Sequence, residues 1–214
     1  MTTQEIIGVL DRSGSMRGKE EDTVGGINTM INEVKKNKGE DDIVKVSLKL
    51  FDHEEILKLR SVNIDDVKDF PVSEFVPRGQ TALLDALGHT LTFFMEKKLR
   101  DPSAYDTALI YVATDGLENA SKQFTRTAIK DLISTAKETY KIDVLYLGAN
   151  QDAILEAGNI GIAPERAINY NENEGSTQAV YRSVARVATD SRQNPDSYDR
   201  QFNMAERQAS QVTT

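Results

Sequence analysis

Short apolar runs recur along the chain, and each stops at a polar loop. Ile6 to Leu10 is apolar around Gly8 and ends at Asp11, while Leu109 to Ala113 ends at Thr114-Asp115-Gly116. A third run, Asp143 to Leu147, ends at Gly148-Ala149-Asn150-Gln151-Asp152. Runs this short, apolar at successive positions, read as strands buried on both faces. Ile43 to Phe51 alternates instead, with Val44, Val46, Leu48 and Leu50 on one side. That period suits a strand. Ile56 to Arg60 reads as its antiparallel partner across the turn Asp52-His53-Glu54-Glu55, and a brief strand falls near Ala167 to Tyr170.

Between these runs the period becomes helical. Thr23 to Lys36 carries Val24, Ile27, Ile31 and Val34 on one face, and Ala82 to Lys98 carries Leu83, Leu84, Leu87, Leu91, Phe94 and Met95. Further helices are predicted over Thr125 to Tyr140 and Ser176 to Thr189, with short ones after Asp152 and over Asp65 to Phe70, where Pro71 stops the chain. Strands alternating with helices predict an α/β fold: three layers, doubly wound, around a mostly parallel sheet with one antiparallel edge strand. Residues 1–192 read as one domain. The polar remainder, 193–214, is rich in Gln, Ser, Asn and Arg and is expected to be a mobile tail.

Composition narrows the chemistry. The chain has 214 residues, enough for one sizeable core, and 39% of them are hydrophobic. It contains no cysteine, which excludes disulfides, zinc–thiolate sites and cysteine nucleophiles. The formal charge of −8 and pI near 4.9 argue against general affinity for nucleic acid or anionic membranes. No apolar stretch approaches a membrane span, and the first residues carry no basic region of a signal peptide. A soluble, cytoplasmic protein is the expectation.

Three loops hold the candidate chemistry: Asp11-Arg12-Ser13-Gly14-Ser15 after the first strand, Thr81 before the long middle helix, and Asp115-Gly116 after the Leu109 to Ala113 strand. A doubly wound sheet presents ligands at the carboxyl ends of its strands, and the first and third loops leave that edge. Carboxylate and hydroxyl oxygens are hard donors of the kind magnesium and manganese prefer. Taken alone, Asp-x-Ser-x-Ser is also an ordinary turn and helix start.

Together these residues resemble the metal-ion-dependent adhesion site of von Willebrand factor A domains, in which Asp-x-Ser-x-Ser, a distant Thr and a later Asp-Gly follow in that order. The resemblance spans about Glu5 to Thr189. The wording Val-Pro-Arg-Gly-Gln-Thr-Ala-Leu-Leu-Asp-Ala and Thr-Asp-Gly-Leu-Glu-Asn-Ala-Ser is similar to intracellular bacterial and phage members of that family. The resemblance implies one Mg²⁺ or Mn²⁺, with Ser13, Ser15 and Thr81 as direct ligands and Asp11 and Asp115 acting through waters or hydrogen bonds. It also implies a protein partner that presents Asp or Glu to the metal. Arg78, Gln80, Glu118, Asn119, Asn150 and Gln151 fall on neighbouring loops as a partner-reading rim, or else as solvated loop residues and helix caps.

Two other readings stand beside the binding module: a scaffold stabilised by its metal, and a Mg-dependent hydrolase or phosphotransferase. The second has little support. The loop after the first strand lacks the second Asp of a haloacid-dehalogenase-like phosphatase, and no Gly-x-x-x-x-Gly-Lys-Ser/Thr, Gly-x-Gly-x-x-Gly or Gly-x-Ser-x-Gly stretch occurs. Ser13 or Ser15 as a nucleophile would need a base, and the two histidines, His53 and His89, are expected on other parts of the molecule. The sequence leaves the oligomeric state open.

Overall fold

A computed structural model describes residues 1–149, 153–195 and 200–212. The strands are β1 (Thr3–Asp11), β2 (Ile43–Phe51), β3 (Glu55–Asn63), β4 (Thr107–Thr114), β5 (Ile142–Gly148) and β6 (Ala167–Asn169). The helices are α1 (Glu20–Asn37), α2 (Leu83–Arg100), α3 (Arg126–Tyr140), α4 (Ala153–Asn159), α5 (Glu174–Gln193) and α6 (Met204–Ala209). One sheet runs in the order β3-β2-β1-β4-β5-β6. Every pairing is parallel except β2 with β3, the antiparallel edge. This is the three-layer α/β architecture that the alternating pattern predicts.

The continuous apolar run of β1 has a direct cause. Ile6 and Leu10 enter one core layer with Val24 and Ile27 of α1 and Val180 and Val184 of α5. Ile7 and Val9 enter the other, with Leu87 and Leu91 of α2 and Ile129 of α3. A strand covered on both faces needs apolar residues at both parities. The α1–α5 contact is close because residue 26 is glycine: a Cβ there would lie 2.4 Å from the Tyr181 ring.

Two segments depart from the sequence expectations. The helix expected over 65–70 shrinks to one 3-10 turn, Ile64–Asp66, capped by Asn63. Val67 and Phe70 beyond it are buried in the same core as Ile64. The stretched backbone is held by α1. Lys35 donates to the Val67 carbonyl, and the Asn28 amide brackets Phe70 through its N–H and C=O.

The second departure is the expected tail. α5 ends at Gln193, and residues 200–212 fold back onto the domain. Phe202 is buried in the α1–α5 core layer, and Arg200 joins Arg166 on the buried Asp143 carboxylate. Asn203 and Glu206 form a capping box at α6, and Arg186 of α5 pairs with Glu206. Arg207 donates to the Ala167 and Pro164 carbonyls and Ser210 to that of Asn169, so the segment covers the β6 edge of the sheet. Apolar periodicity misses such a segment because it is fastened by charged pairs and capped carbonyls, with one buried ring. Phe202→Ala should therefore cost about 3 kcal/mol in urea unfolding, the usual cost of emptying a buried phenyl site. A change below about 0.5 kcal/mol, the range of surface substitutions, would mean that the segment does not pack there.

Candidate metal centre

The centre begins with strand pairing. β1 and β4 are adjacent and parallel, with Leu10 opposite Ala113, so Asp11 and Thr114 emerge side by side. Thr114 Oγ1 donates to Asp11 Oδ2 at 2.5 Å, and the Ser13 N–H donates to Asp11 Oδ1 at 2.7 Å. Asp11 is wholly buried. Burial pushes its carboxyl above the usual aspartate range, and the bonds from Thr114 and Ser13 oppose that shift.

From Asp11 the chain turns through a 3-10 turn, Gly14–Met16, anchored by buried Met16. Ser13 Oγ and Ser15 Oγ are 3.0 Å apart, and Ser15 Oγ donates to Asp115 Oδ1 at 2.6 Å. The loop before α2 is stitched to this turn by backbone bonds, Arg78 N–H to the Arg12 carbonyl (2.7 Å) and Gly14 N–H to the Gly79 carbonyl (3.2 Å). Thr81 is buried, and its N–H donates to Asn119 Oδ1. Its carbonyl accepts from the N–H groups of Asn119 and Ala120.

The convergence is clearest at Gly116. A Cβ there would lie 3.2 Å from Thr81 Oγ1, 3.5 Å from Ser15 Oγ and 3.8 Å from Asp11 Oδ2. Oxygens from separate loops thus face one point that any side chain at 116 would begin to fill. The five residues singled out as metal ligands come together, and their donors are all oxygen. That set fits a hard divalent cation and does not suit a soft one.

Several of the expected rim residues have partners within the chain. Both Glu118 oxygens are committed: one accepts from the Ala120 and Ser121 N–H groups, the other from the Leu84 N–H and the Ser121 hydroxyl. Glu118 therefore caps the start of α2, and Asn119, itself exposed, accepts the Thr81 N–H at its Oδ1. Arg78 is drawn to Asp52 and Glu54. Gln80 remains exposed on its loop, and Asn150 and Gln151 lie outside the described residues.

Sequence reasoning also missed residues at this edge. His53 sits on the loop leaving β2, and a Cβ on Gly79, whose φ is +71°, would lie 2.2 Å from its Nδ1. One histidine does occupy this edge, contrary to expectation. The donors of Asp52, His53 and Glu54 lie within 4.8 Å of one another, a second grouping that could hold a cation. Its charge is already matched, since Asp52 Oδ2 lies 2.9 Å from Arg12 Nη2 and 3.0 Å from Arg78 Nε, and Oδ1 accepts from the Glu54 N–H. Two guanidinium groups oppose a further cation there. Lys19, also missed, reaches Asp115 and Glu172. Its one signal in the sequence is a basic residue four positions after Ser15.

No family model matches the chain, and no curated protein matches it in sequence. Solved structures do match. They include the vWF domain of the type V pili tip protein Mfa5 from Porphyromonas gingivalis, 11% identical over 92% of this chain and 99% of that one, with a TM-score of 0.65. Manganese-loaded TRAP protein of Plasmodium vivax is 18% identical over 81% of this chain and 70% of that one, with a TM-score of 0.58. Proximal thread matrix protein 1 from the mussel byssus, with a zinc-occupied MIDAS motif, is 18% identical over 88% of this chain and 46% of that one, with a TM-score of 0.57. In further matches the chain spans 43% to 62% of the other protein's length. The fold is that of von Willebrand factor A domains, and two of these neighbours hold a divalent metal.

The capping role of Glu118 gives a measurable consequence. Glu118→Ala removes the acceptor for three backbone N–H groups and should lower stability by about 2 kcal/mol in urea unfolding. Unchanged stability would return Glu118 to the rim.

Proposed function

We propose that the chain is a divalent-metal-dependent protein-binding module that captures an acidic residue of a partner. The observation that carries this reading is the meeting of Thr81 Oγ1, Ser15 Oγ and Asp11 Oδ2 beside Gly116. Ser13, Ser15 and Thr81 would hold Mg²⁺ or Mn²⁺ directly, and Asp11 and Asp115 would act through waters and hydrogen bonds. Hydroxyl ligands add no charge, so the bound metal supplies an electrophilic open position suited to a carboxylate. The chain's own part is to keep these oxygens aimed. Thr114 and Ser13 N–H fix Asp11, Ser15 fixes Asp115, and Asn119 fixes the Thr81 backbone.

Catalysis finds less support in the same geometry. The Ser13 and Ser15 hydroxyls bond each other and Asp115, and among the described residues no histidine bonds either one. His53 faces Asp52 at 3.3 Å, and His89 lies between Glu55 and Gln123. We place the module in the cytoplasm, on the resemblance of its loops to intracellular family members.

Calorimetric titration of Mg²⁺ and Mn²⁺ into chelator-stripped protein tests the site. One saturable site is expected, abolished in Asp11→Ala and weakened at least about tenfold in Thr81→Ala, the loss of a direct hydroxyl ligand. The unfolding midpoint of chelated Thr81→Ala should stay near that of the wild type. No saturable binding, or wild-type affinity in Thr81→Ala, would overturn the assignment. Acetate added to the Mn²⁺-loaded protein should reduce the enhancement of water proton relaxation by displacing metal-bound water, and an unchanged signal would contradict carboxylate capture.

A further inference from the structure

Lys19 stands at a position where local rules disfavour it. It is the residue that caps α1, yet its side chain makes no capping bond, and a cation at a helix N-terminus opposes the helix dipole. Asp, Asn, Ser or Thr would serve the helix better. A residue that breaks a local rule is expected to be compensated elsewhere, and such sites tend to be functional.

The compensation is visible. Lys19 Nζ lies 2.5 Å from Asp115 Oδ2, a carboxylate whose side chain is 2% exposed, and 2.6 Å from Glu172 Oε1 on the loop before α5. Asp22, from the first turn of α1, lines the same small void of about 10 Å³ with Lys19, Tyr170 and Glu172. The ammonium therefore contacts two carboxylates, one of them a member of the proposed metal centre. The other oxygen of that same Asp115 carboxylate takes the Ser15 hydroxyl.

We propose that Lys19 is a built-in counter-cation of the metal centre, which holds Asp115 in place and sets the metal affinity below what the oxygen set alone would give. This rests on the metal-binding reading above. Asp11 and Asp115 bring two negative charges to the centre, and Lys19 offsets one of them at contact distance. A divalent ion must then bind against a fixed positive charge held at the Asp115 carboxylate, whose own side chain is buried. The same charge disfavours adventitious occupancy at low metal concentration. A partner's carboxylate, arriving as a further negative charge, would offset the opposition and favour metal and partner together.

The two roles of Lys19 predict effects of opposite sign, which a merely structural lysine would not produce. Lys19→Met keeps the apolar stem and removes the charge. It should raise Mg²⁺ affinity about tenfold or more, a shift of about 1.4 kcal/mol per factor of ten. The chelated variant should at the same time unfold at a lower temperature than chelated wild type, because Asp115 and Glu172 lose their cation. Lys19→Arg, which keeps the charge, should return affinity to within about threefold of wild type. Lys19→Gln retains an N–H donor for Asp115 without the charge and replaces Lys19→Met should that variant fail to fold. If wild type binds Mg²⁺ and the neutral variants bind no tighter, the counter-cation is overturned while the metal centre stands. If neither wild type nor the neutral variants bind Mg²⁺ or Mn²⁺, both readings fail.

Discussion

The hydrogen bond from Thr114 to Asp11 joins the ends of the two central strands, and the arrangement of the centre depends on it. A carboxylate with no exposure to water is tolerated only when its lone pairs are filled, and a hydroxyl from β4 and a backbone N–H from 13 fill them. That bond exists because β1 and β4 pair in a single register, Leu10 against Ala113. The register has no freedom. Both strands carry apolar residues on both faces, and a one-residue slip would exchange the contents of the two core layers.

From that fixed point the neighbouring loops are fastened one to the next. The turn after β1 takes backbone bonds from the loop before α2, and that loop is held in turn by the segment after β4. The segment after β4 is pinned from both sides of the α2 N-terminus. Glu118 accepts the Leu84 N–H, and Asp85 accepts the N–H groups of Lys122, Gln123 and Phe124. Burial alone would raise the Asp85 carboxyl, but those backbone bonds outweigh it, and its pKa falls below the usual aspartate value. Such a carboxylate contributes stability above the unfolded-state pKa and loses it as the pH falls through the lower folded-state value. The hydroxyls at the centre thus sit on loops whose backbones are tied down, as a site with little reorganisation to undergo requires.

Much of this was legible in the sequence because the signals were local. Buried strands announce themselves as runs such as Leu109 to Ala113, and helices as spaced apolar faces such as Val24, Ile27, Ile31 and Val34. Asp11, Ser13, Ser15, Thr81 and Asp115 stand out by residue type, and the structure brings them close to one another. What stayed hidden depends on long-range polar pairing. Glu118 and Asn119 look like surface loop residues until their backbone partners, up to 38 positions away, are known. The segment 200–212 has little apolar pattern, since Arg200, Arg207 and Ser210 fasten it through bonds to Asp143 and to carbonyls of 164–169. Lys19 shows the same limit, because its partners Asp115 and Glu172 lie 96 and 153 positions along the chain.

The central claim is that oxygens from three loops make one metal site, and anomalous diffraction tests it most directly. Crystals soaked in Mn²⁺ and measured for anomalous scattering from manganese should show one strong peak beside Gly116, within ligand distance of Ser13 Oγ, Ser15 Oγ and Thr81 Oγ1, and lacking in Asp11→Ala crystals. A peak at Asp52, His53 and Glu54 instead, or no peak beside Gly116 at millimolar Mn²⁺, would contradict the account.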